Sequence, residues 1–225
     1  MRDDFDHGPD QDPDPDAALD RRGRHAADGD AARPDGHGAA TAAEDGAGTP
    51  AGHGGQETPT AAEGPLFKPE TPERTDLIAP GVRGVELELA GHVYDLRRTP
   101  VPGALIEFWQ CDQNGDYDTS GFSLRGHQYT THRGAFRLRT VIPRDYWGRW
   151  GRRAPHLHTR IHVPGGPLLV TQLYFPDDTQ AYGRDFAALN AMDPLIDRAC
   201  TLTLTGPLEG RYRGTFDFVV RTGGH

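Results

Sequence analysis

The chain has 225 residues, a formal net charge of −9 and two cysteines. That length suits one ordinary domain with an added segment, or two small domains. The acidic balance speaks against nucleic acid as a partner, since phosphate recognition needs a basic surface, and no apolar run reaches the ~20 residues of a bilayer span. Met1 to Asp6 lack the basic segment and apolar run of a secretory signal, so a cytoplasmic protein is expected. Cys111 and Cys200 make no disulfide framework and are expected as buried free thiols.

Residues 1–62 consist largely of Ala, Gly, Asp, Pro and His, with Phe5 as the one aromatic and no Val or Ile. Such a segment buries too little apolar surface to offset its ordering entropy and is expected to be a disordered tail. His7, His25, His37 and His53 are scattered through it and read as solvated histidines. A domain is expected over 63–225, opening with an extended arm at Gly64-Pro65-Leu66-Phe67.

Strands follow. Val85, Leu87 and Leu89 alternate with Glu86 and Glu88, the pattern of a half-buried strand. Ala104 to Gln110 carries β formers on both faces and is expected to be central. Gln128–Thr131 and Ala135–Val141 read as a hairpin around His132-Arg133-Gly134. His156 to Val163 is the next strand, with Leu157, Thr159, Ile161 and Val163 on one face, and Leu168 to Phe175 follows. Tyr182 to Asn190 is the helix candidate. Thr201–Thr205 and Tyr212–Val220 close the chain as strands, with Tyr212, Phe216 and Phe218 inward. Many short strands with regular turn signals imply an all-β fold, a sandwich of mostly antiparallel strands with one short helix.

His156 and His158 are two apart on a strand, so they share a face at roughly 7 Å along the backbone, close enough for one ion. His162 lies about 13 Å along that strand and suits a surface role better. Tyr117 follows the Asn114-Gly115 turn, and Tyr146 follows Ile142-Pro143-Arg144-Asp145. Alone, either tyrosine reads as a packing residue. Two phenolates with two neutral imidazoles would make a hard, anionic site suited to Fe(III) rather than Zn(II), with one hydroxide completing charge balance.

The run Trp109-Gln110-Cys111-Asp112-Gln113-Asn114-Gly115-Asp116-Tyr117 resembles the W-x-x-D-x-x-G-x-Y block of the intradiol ring-cleavage dioxygenases. Thr140 to Tyr146 is similar to their T-x-x-P-x-x-Y block, Arg153 to His158 to R-x-x-H-x-H, and Thr171 to Phe175 to T-Q-x-Y-F. The resemblance spans about residues 63–220 and implies a β-sandwich with Fe(III) held by Tyr117, Tyr146, His156 and His158. It implies that Tyr117 and His156 stay equatorial with a hydroxide, and that Tyr146 leaves the metal when a catecholate chelates. The implied reaction joins O2 to a catechol-type ortho-diphenol and opens its ring to a muconate-type dicarboxylate.

The resemblance also implies that Arg153 stabilises negative charge on the ring and that Gln172 orients nearby oxygens. The structural alternative for Arg153 is a surface salt bridge, and for Gln172 a buried amide bonded within the sheet. Trp147 stands where the family often has proline, and the loop it opens carries Arg149, Trp150 and Arg152. That loop either walls the pocket, with an arginine for a substrate carboxylate, or packs on its own tryptophans. The tail replaces the helical dimerisation region of two-domain relatives, and assembly into a homo-oligomer stays open. Two rival readings are a non-catalytic transthyretin-like sandwich that binds aromatics or a protein partner, and a cupin-like site that uses His162 with Fe(II) or Zn.

Overall fold

The computed structural model describes residues 56–64 and 66–223. The tail expected up to residue 62 lies, as far as residue 55, outside the described residues, and so do its four histidines. Eleven strands and one short helix make up the regular structure, with the sheets left open.

The strands are β1 (Glu86–Asp95), β2 (Leu105–Trp109), β3 (Arg125–Tyr129), β4 (Ala135–Val141), β5 (Tyr146–Gly148), β6 (Gly151–Arg153), β7 (His156–His162) and β8 (Leu169–Tyr174). Helix α1 (Phe186–Met192) comes next, then β9 (Thr203–Leu208), β10 (Arg211–Thr215) and β11 (Phe218–Val220). One sheet carries β4 on one side of β1, and β10 with β9 and β11 on the other. The second sheet is antiparallel in the order β3-β2-β7-β8, and β5 and β6 form a separate two-stranded ribbon. The expected all-β sandwich with one helix is therefore present, with the β1–β10 and β1–β11 pairs parallel.

Three local expectations are corrected. β3 and β4 are not a hairpin, because β3 pairs with β2 and β4 with β1, in different sheets. The Thr131 to Ala135 turn instead carries the chain from one layer to the other, and Gln128 spans the gap by bonding both the N–H and the carbonyl of Arg137. The final strand is split: Phe216 and Asp217 interrupt it, and Asp217 accepts from the His92 N–H. Gly91 permits this crossing, since a Cβ there would lie 1.8 Å from the Phe216 carbonyl oxygen. The helix begins four residues later than expected, where the Asp185 side chain accepts from the Ala188 N–H as its N-cap.

The core lies between the two sheets. Leu87 and Leu89 of β1 with Phe136 and Leu138 of β4 meet Ile106, Phe108, Leu157, Ile161 and Leu173 of the second sheet. Each such side chain contributes about 1.5–3 kcal/mol when fully buried. Because side chains alternate, Trp109, His156, His158, Gln172 and Tyr174 point to the other face of that second sheet.

This outer face is roofed by the chain before β1. Thr58 donates its N–H to the Val219 carbonyl at 2.9 Å and accepts the Val219 N–H at its hydroxyl. Ala61 bonds the Val170 carbonyl, and the Phe67 ring meets Trp109 edge-on. Thr58 is 1 % exposed. The expected start at residue 63 thus falls inside a packed strap that begins at Glu57, because its backbone groups pair with the ends of β8 and β11.

Candidate metal and active site

One register row of the second sheet sets the site. Arg125, Trp109, His158 and Gln172 lie directly opposite one another on β3, β2, β7 and β8, and His156 and Tyr174 form the neighbouring pair. Directly opposed residues share a face, so the sheet alone gathers two imidazoles, an amide and a guanidinium. Trp109 stacks flat on His158, with ring centres 4.8 Å apart and planes 5° apart. His162 sits at the end of the same parity series and is exposed, which removes it from the site and with it the cupin-like arrangement.

The two tyrosines come from loops tied to each other. After β2, Asp112 accepts the N–H groups of Asn114 and Asp116 at its side chain, closing a turn that presents Tyr117. The Arg144 N–H bonds the Asp112 carbonyl, and the Cys111 thiol donates to the Arg144 carbonyl. Gly115 lies where this turn meets Tyr146; its φ is +94°, and a Cβ there would lie 3.1 Å from the Asp145 carbonyl oxygen. Deeper in, Gln110 anchors β2 to β4 by donating to the Val141 carbonyl and accepting from the Thr140 hydroxyl.

The four expected ligand residues converge. His156 Nε2 and His158 Nε2 are 3.2 Å apart, and His158 Nε2 is 3.1 Å from the Tyr117 hydroxyl. The Tyr146 ring meets Tyr117 edge-on at 5.5 Å and lies 5.7 Å from His156. Both histidines are buried, whereas Tyr117 and Tyr146 are half-buried.

The surroundings hold the donor groups of the protein neutral at this point. Burial, helped by Arg153, holds His156 down at about 3, and burial with His156 and Arg153 holds His158 far below its ordinary value. Both rings are therefore neutral and free to ligate. His156 Nδ1 donates to the Ala154 carbonyl at 2.6 Å, so the lone pair of its Nε2 faces the centre. His158 Nδ1 is buried without a partner. Burial pushes the Tyr117 phenol well above the ordinary tyrosine value, and raises Tyr146 as well; Arg153 pulls both back. His158 Nε2 lies within 3.2 Å of two further donor atoms, His156 Nε2 and the Tyr117 hydroxyl, so their lone pairs compete for protons, and a metal ion would turn that competition into coordination. Among the described residues, no group of three or more His, Cys, Asp or Glu side chains gathers round one point. The tyrosines are thus what completes this donor set.

Arg153 is not a surface ion pair. Its side chain is 4 % exposed, and its Nε donates to both oxygens of Asp193 at 3.0 and 3.1 Å. Its Nη2 donates to the Gln172 side-chain oxygen at 2.5 Å and to the Tyr174 hydroxyl at 3.1 Å. Gln172 is buried and bonded both within its sheet and beyond it: its side-chain oxygen accepts from the Tyr174 hydroxyl of the same strand at 2.9 Å, and its amide nitrogen donates to the Ala62 carbonyl of the strap at 2.8 Å. Gln172 therefore locks Arg153 to the roof of the site.

The Trp147 to Arg152 segment is not packed on its own tryptophans; Trp147 and Arg152 line a cleft together with Tyr146. Tyr146 opposes Arg153 and Trp147 opposes Arg152 across the ribbon, so the second pair faces the other way. Arg152 pairs with the buried Asp145, as does Arg184 at 2.9 Å. These groups line an outer cleft of about 630 Å³. Trp147 is 72 % exposed and Trp150 49 %, each with an arginine above its ring.

Arg125 was not read from the sequence as a site residue. It is 1 % exposed, is in no ion pair among the described residues although the Asp118 charge is felt there, and lies with its guanidinium carbon 6.0 Å from the Tyr117 ring centre. Asp193 was also missed. The row partnership of Arg125 with Trp109 is the one signal that could have found the former, and no sequence signal points to the latter.

A family model described as a dioxygenase matches residues 62–222. A catechol 1,2-dioxygenase from Pseudomonas sp. (strain EST1001) is 31 % identical over 159 residues, covering 60 % of this chain and 52 % of that one. A hydroxyquinol 1,2-dioxygenase from Rhizobium sp. is 29 % identical, covering 57 % and 49 %. This chain thus spans about half the length of the curated relatives it matches. Among solved structures, the dioxygenase domain of a dioxygenase and carbohydrate-binding protein fusion from Streptomyces sp. SirexAA-E is 40 % identical with a TM-score of 0.65, covering 74 % of this chain and 99 % of that one.

Proposed function

Since the chain belongs to the intradiol ring-cleavage dioxygenase family, we propose that it holds Fe(III) through Tyr117, Tyr146, His156 and His158 and cleaves a catechol-type ortho-diphenol with O2 to a muconate-type dicarboxylate. The observation that carries this reading is the convergence of two half-buried phenols and two neutral imidazoles on one point, with the imidazole Nε2 atoms 3.2 Å apart. The catalytic unit in this proposal runs from Glu57 to the chain end, with residues before it outside the site.

The chemistry a bound Fe(III) supplies is Lewis acidity toward a chelating catecholate, opening its ring to O2. The chain's own groups do the rest. The Ala154 carbonyl fixes the tautomer of His156 and turns its Nε2 inward. Trp109, flat against His158, fixes the second imidazole plane. Tyr146, the less buried phenol, takes a proton at its hydroxyl oxygen as the substrate gives one up. Arg153 presents fixed positive charge where the ring becomes electron-rich, in a site that needs no reorganisation to use it. The strap and Trp109 shield this outer face of the second sheet from bulk water.

The test is O2 uptake with a panel of catechols and identification of products by mass spectrometry. Purified protein is expected to be coloured by tyrosinate-to-Fe(III) charge transfer, and Tyr146→Phe to change that colour. A colourless protein that cannot be reconstituted with iron, or one yielding extradiol products, would sink the proposal.

A further inference from the structure

Asp193 caps the C-terminus of α1 and has a side chain that is 0 % exposed. Its two oxygens accept from Arg153 Nε, from the Ala154 N–H at 2.9 Å and from the Leu195 N–H at 2.9 Å. Every bond to this carboxylate from outside its own loop comes from the two residues that lead into the His156 strand. The next peptide group along, Ala154–Pro155, gives its carbonyl to His156 Nδ1. One carboxylate therefore sets the plane of Arg153 and holds the backbone N–H of the residue whose carbonyl directs His156.

We infer that Asp193 is a positioning residue of this centre, aiming Arg153 at the substrate ring and, by anchoring the backbone at Ala154, aiming His156 Nε2 at the metal; this rests on the dioxygenase reading above. Burial alone gives no reason for such a pair, because a buried ion pair exchanged for apolar groups of similar volume is often neutral for stability. Its geometry gives one. Asp193 occupies the Nε edge of the guanidinium, while Gln172 and Tyr174 hold Nη2. A guanidinium bonded along two edges cannot swing, and a fixed charge costs no reorganisation when the ring becomes electron-rich. Outer partners that orient a ligating histidine typically matter by roughly 10–100-fold.

The experiment compares the full-length wild type with Asp193→Asn, Arg153→Gln and the double variant, each loaded with Fe(III). Asp193→Asn is expected to lower kcat roughly 10–100-fold while shifting KM much less. If Asp193 acts through both Arg153 and Ala154, the double variant is slower than Arg153→Gln alone, by less than the full loss Asp193→Asn causes in the wild type. The tyrosinate charge-transfer band is expected to shift in Asp193→Asn, because His156 turns. A second readout needs no turnover: in iron-free protein, the slowly exchanging Arg153 Nε–H and His156 Nδ1–H resonances are expected in wild type and absent in Asp193→Asn. Should Asp193→Asn fail to fold, Asp193→Glu keeps the charge, displaces the carboxylate by one methylene and carries the same readouts. Turnover within twofold of wild type, losses that multiply in the double variant, or both resonances persisting would overturn the inference. A wild type that cleaves no catechol, yet loses both resonances on substitution, would instead sink the dioxygenase reading and leave the clamp standing.

Discussion

Arg125 offers the sharpest test of the electrostatics. It is a buried cation in no ion pair among the described residues; its Nε donates to the Asp118 carbonyl at 3.0 Å and its Nη1 to the Leu66 carbonyl at 2.7 Å. Burial lowers its own pKa, and the Tyr117 phenolate would raise it again. With the guanidinium carbon 6.0 Å from the Tyr117 ring centre, a unit charge at an effective dielectric of about 20 favours the phenolate by about 3 kcal/mol, about 100-fold in its equilibrium with the phenol. Arg125→Met should therefore weaken Fe(III) binding roughly 100-fold, because ligation requires the phenolate. Losing the cation also raises the phenolate donor orbital, so the charge-transfer band should move to longer wavelength. Fold stability should change far less, since the two lost charge-assisted bonds, about 1.5–3 kcal/mol each, are offset by relief from burying a lone charge. Chelator competition followed by visible absorbance measures the affinity, and thermal melts of iron-free protein measure the stability. An affinity within twofold of wild type, with the band unmoved, would refute the assignment of Arg125 as the counter-charge of Tyr117.

Moving the start of the chain to Gln56 should leave the melting temperature and iron uptake as they are. Starting at Glu63 removes the Thr58 and Ala61 bonds and strips the Gln172 amide of its acceptor, a buried loss worth about 1–3 kcal/mol for the amide alone, which thermal melts would show. Gly91→Ala places a methyl group on the Phe216 carbonyl and should cost about 3 kcal/mol, lowering Tm by roughly 6–12 °C in calorimetry. Burial pushes Cys111 up to about 12 and Cys200 up to about 11, against an ordinary 9.0. Both should resist iodoacetamide at pH 8 until the chain unfolds, as read by mass spectrometry. Since the folded thiols hold their protons more tightly than the unfolded ones, this contribution to stability is intact below pH 9 and lost as pH rises toward 11.

Much of the site was legible because its residues obey local rules. Period two places His156 and His158 together whatever they pack against, and ligand hardness makes two tyrosines with two histidines a ferric set before any coordinates exist. The same period puts His162 on that face too, and only its distance of about 13 Å along the strand spoke against it; alternation along Leu157, Ile161 and Val163 marked the core face. Legibility stopped where partners are distant in the chain. The expected hairpin around His132 failed because a tight turn joins neighbouring strands equally well within one sheet or between two. The strap from Glu57 to Ala62 has the composition of a tail, yet its Thr and Ala backbone groups pair with the ends of β8 and β11, an ordering that composition does not report.

What the residues determined alone was therefore the chemistry: the strand period, the inward and outward faces, and the donor types that suit one hard ion. What the tertiary structure decided was the charge around it. Arg125 reaches Tyr117 through strand register, and Arg153 receives its carboxylate from Asp193, 40 residues further along the chain. The ribbon turns Arg152 to the outer face, where Asp145 takes it. Donor identity is a property of single residues, whereas the compensation of a buried charge depends on which distant group lies within a few ångströms, and only the folded chain settles that.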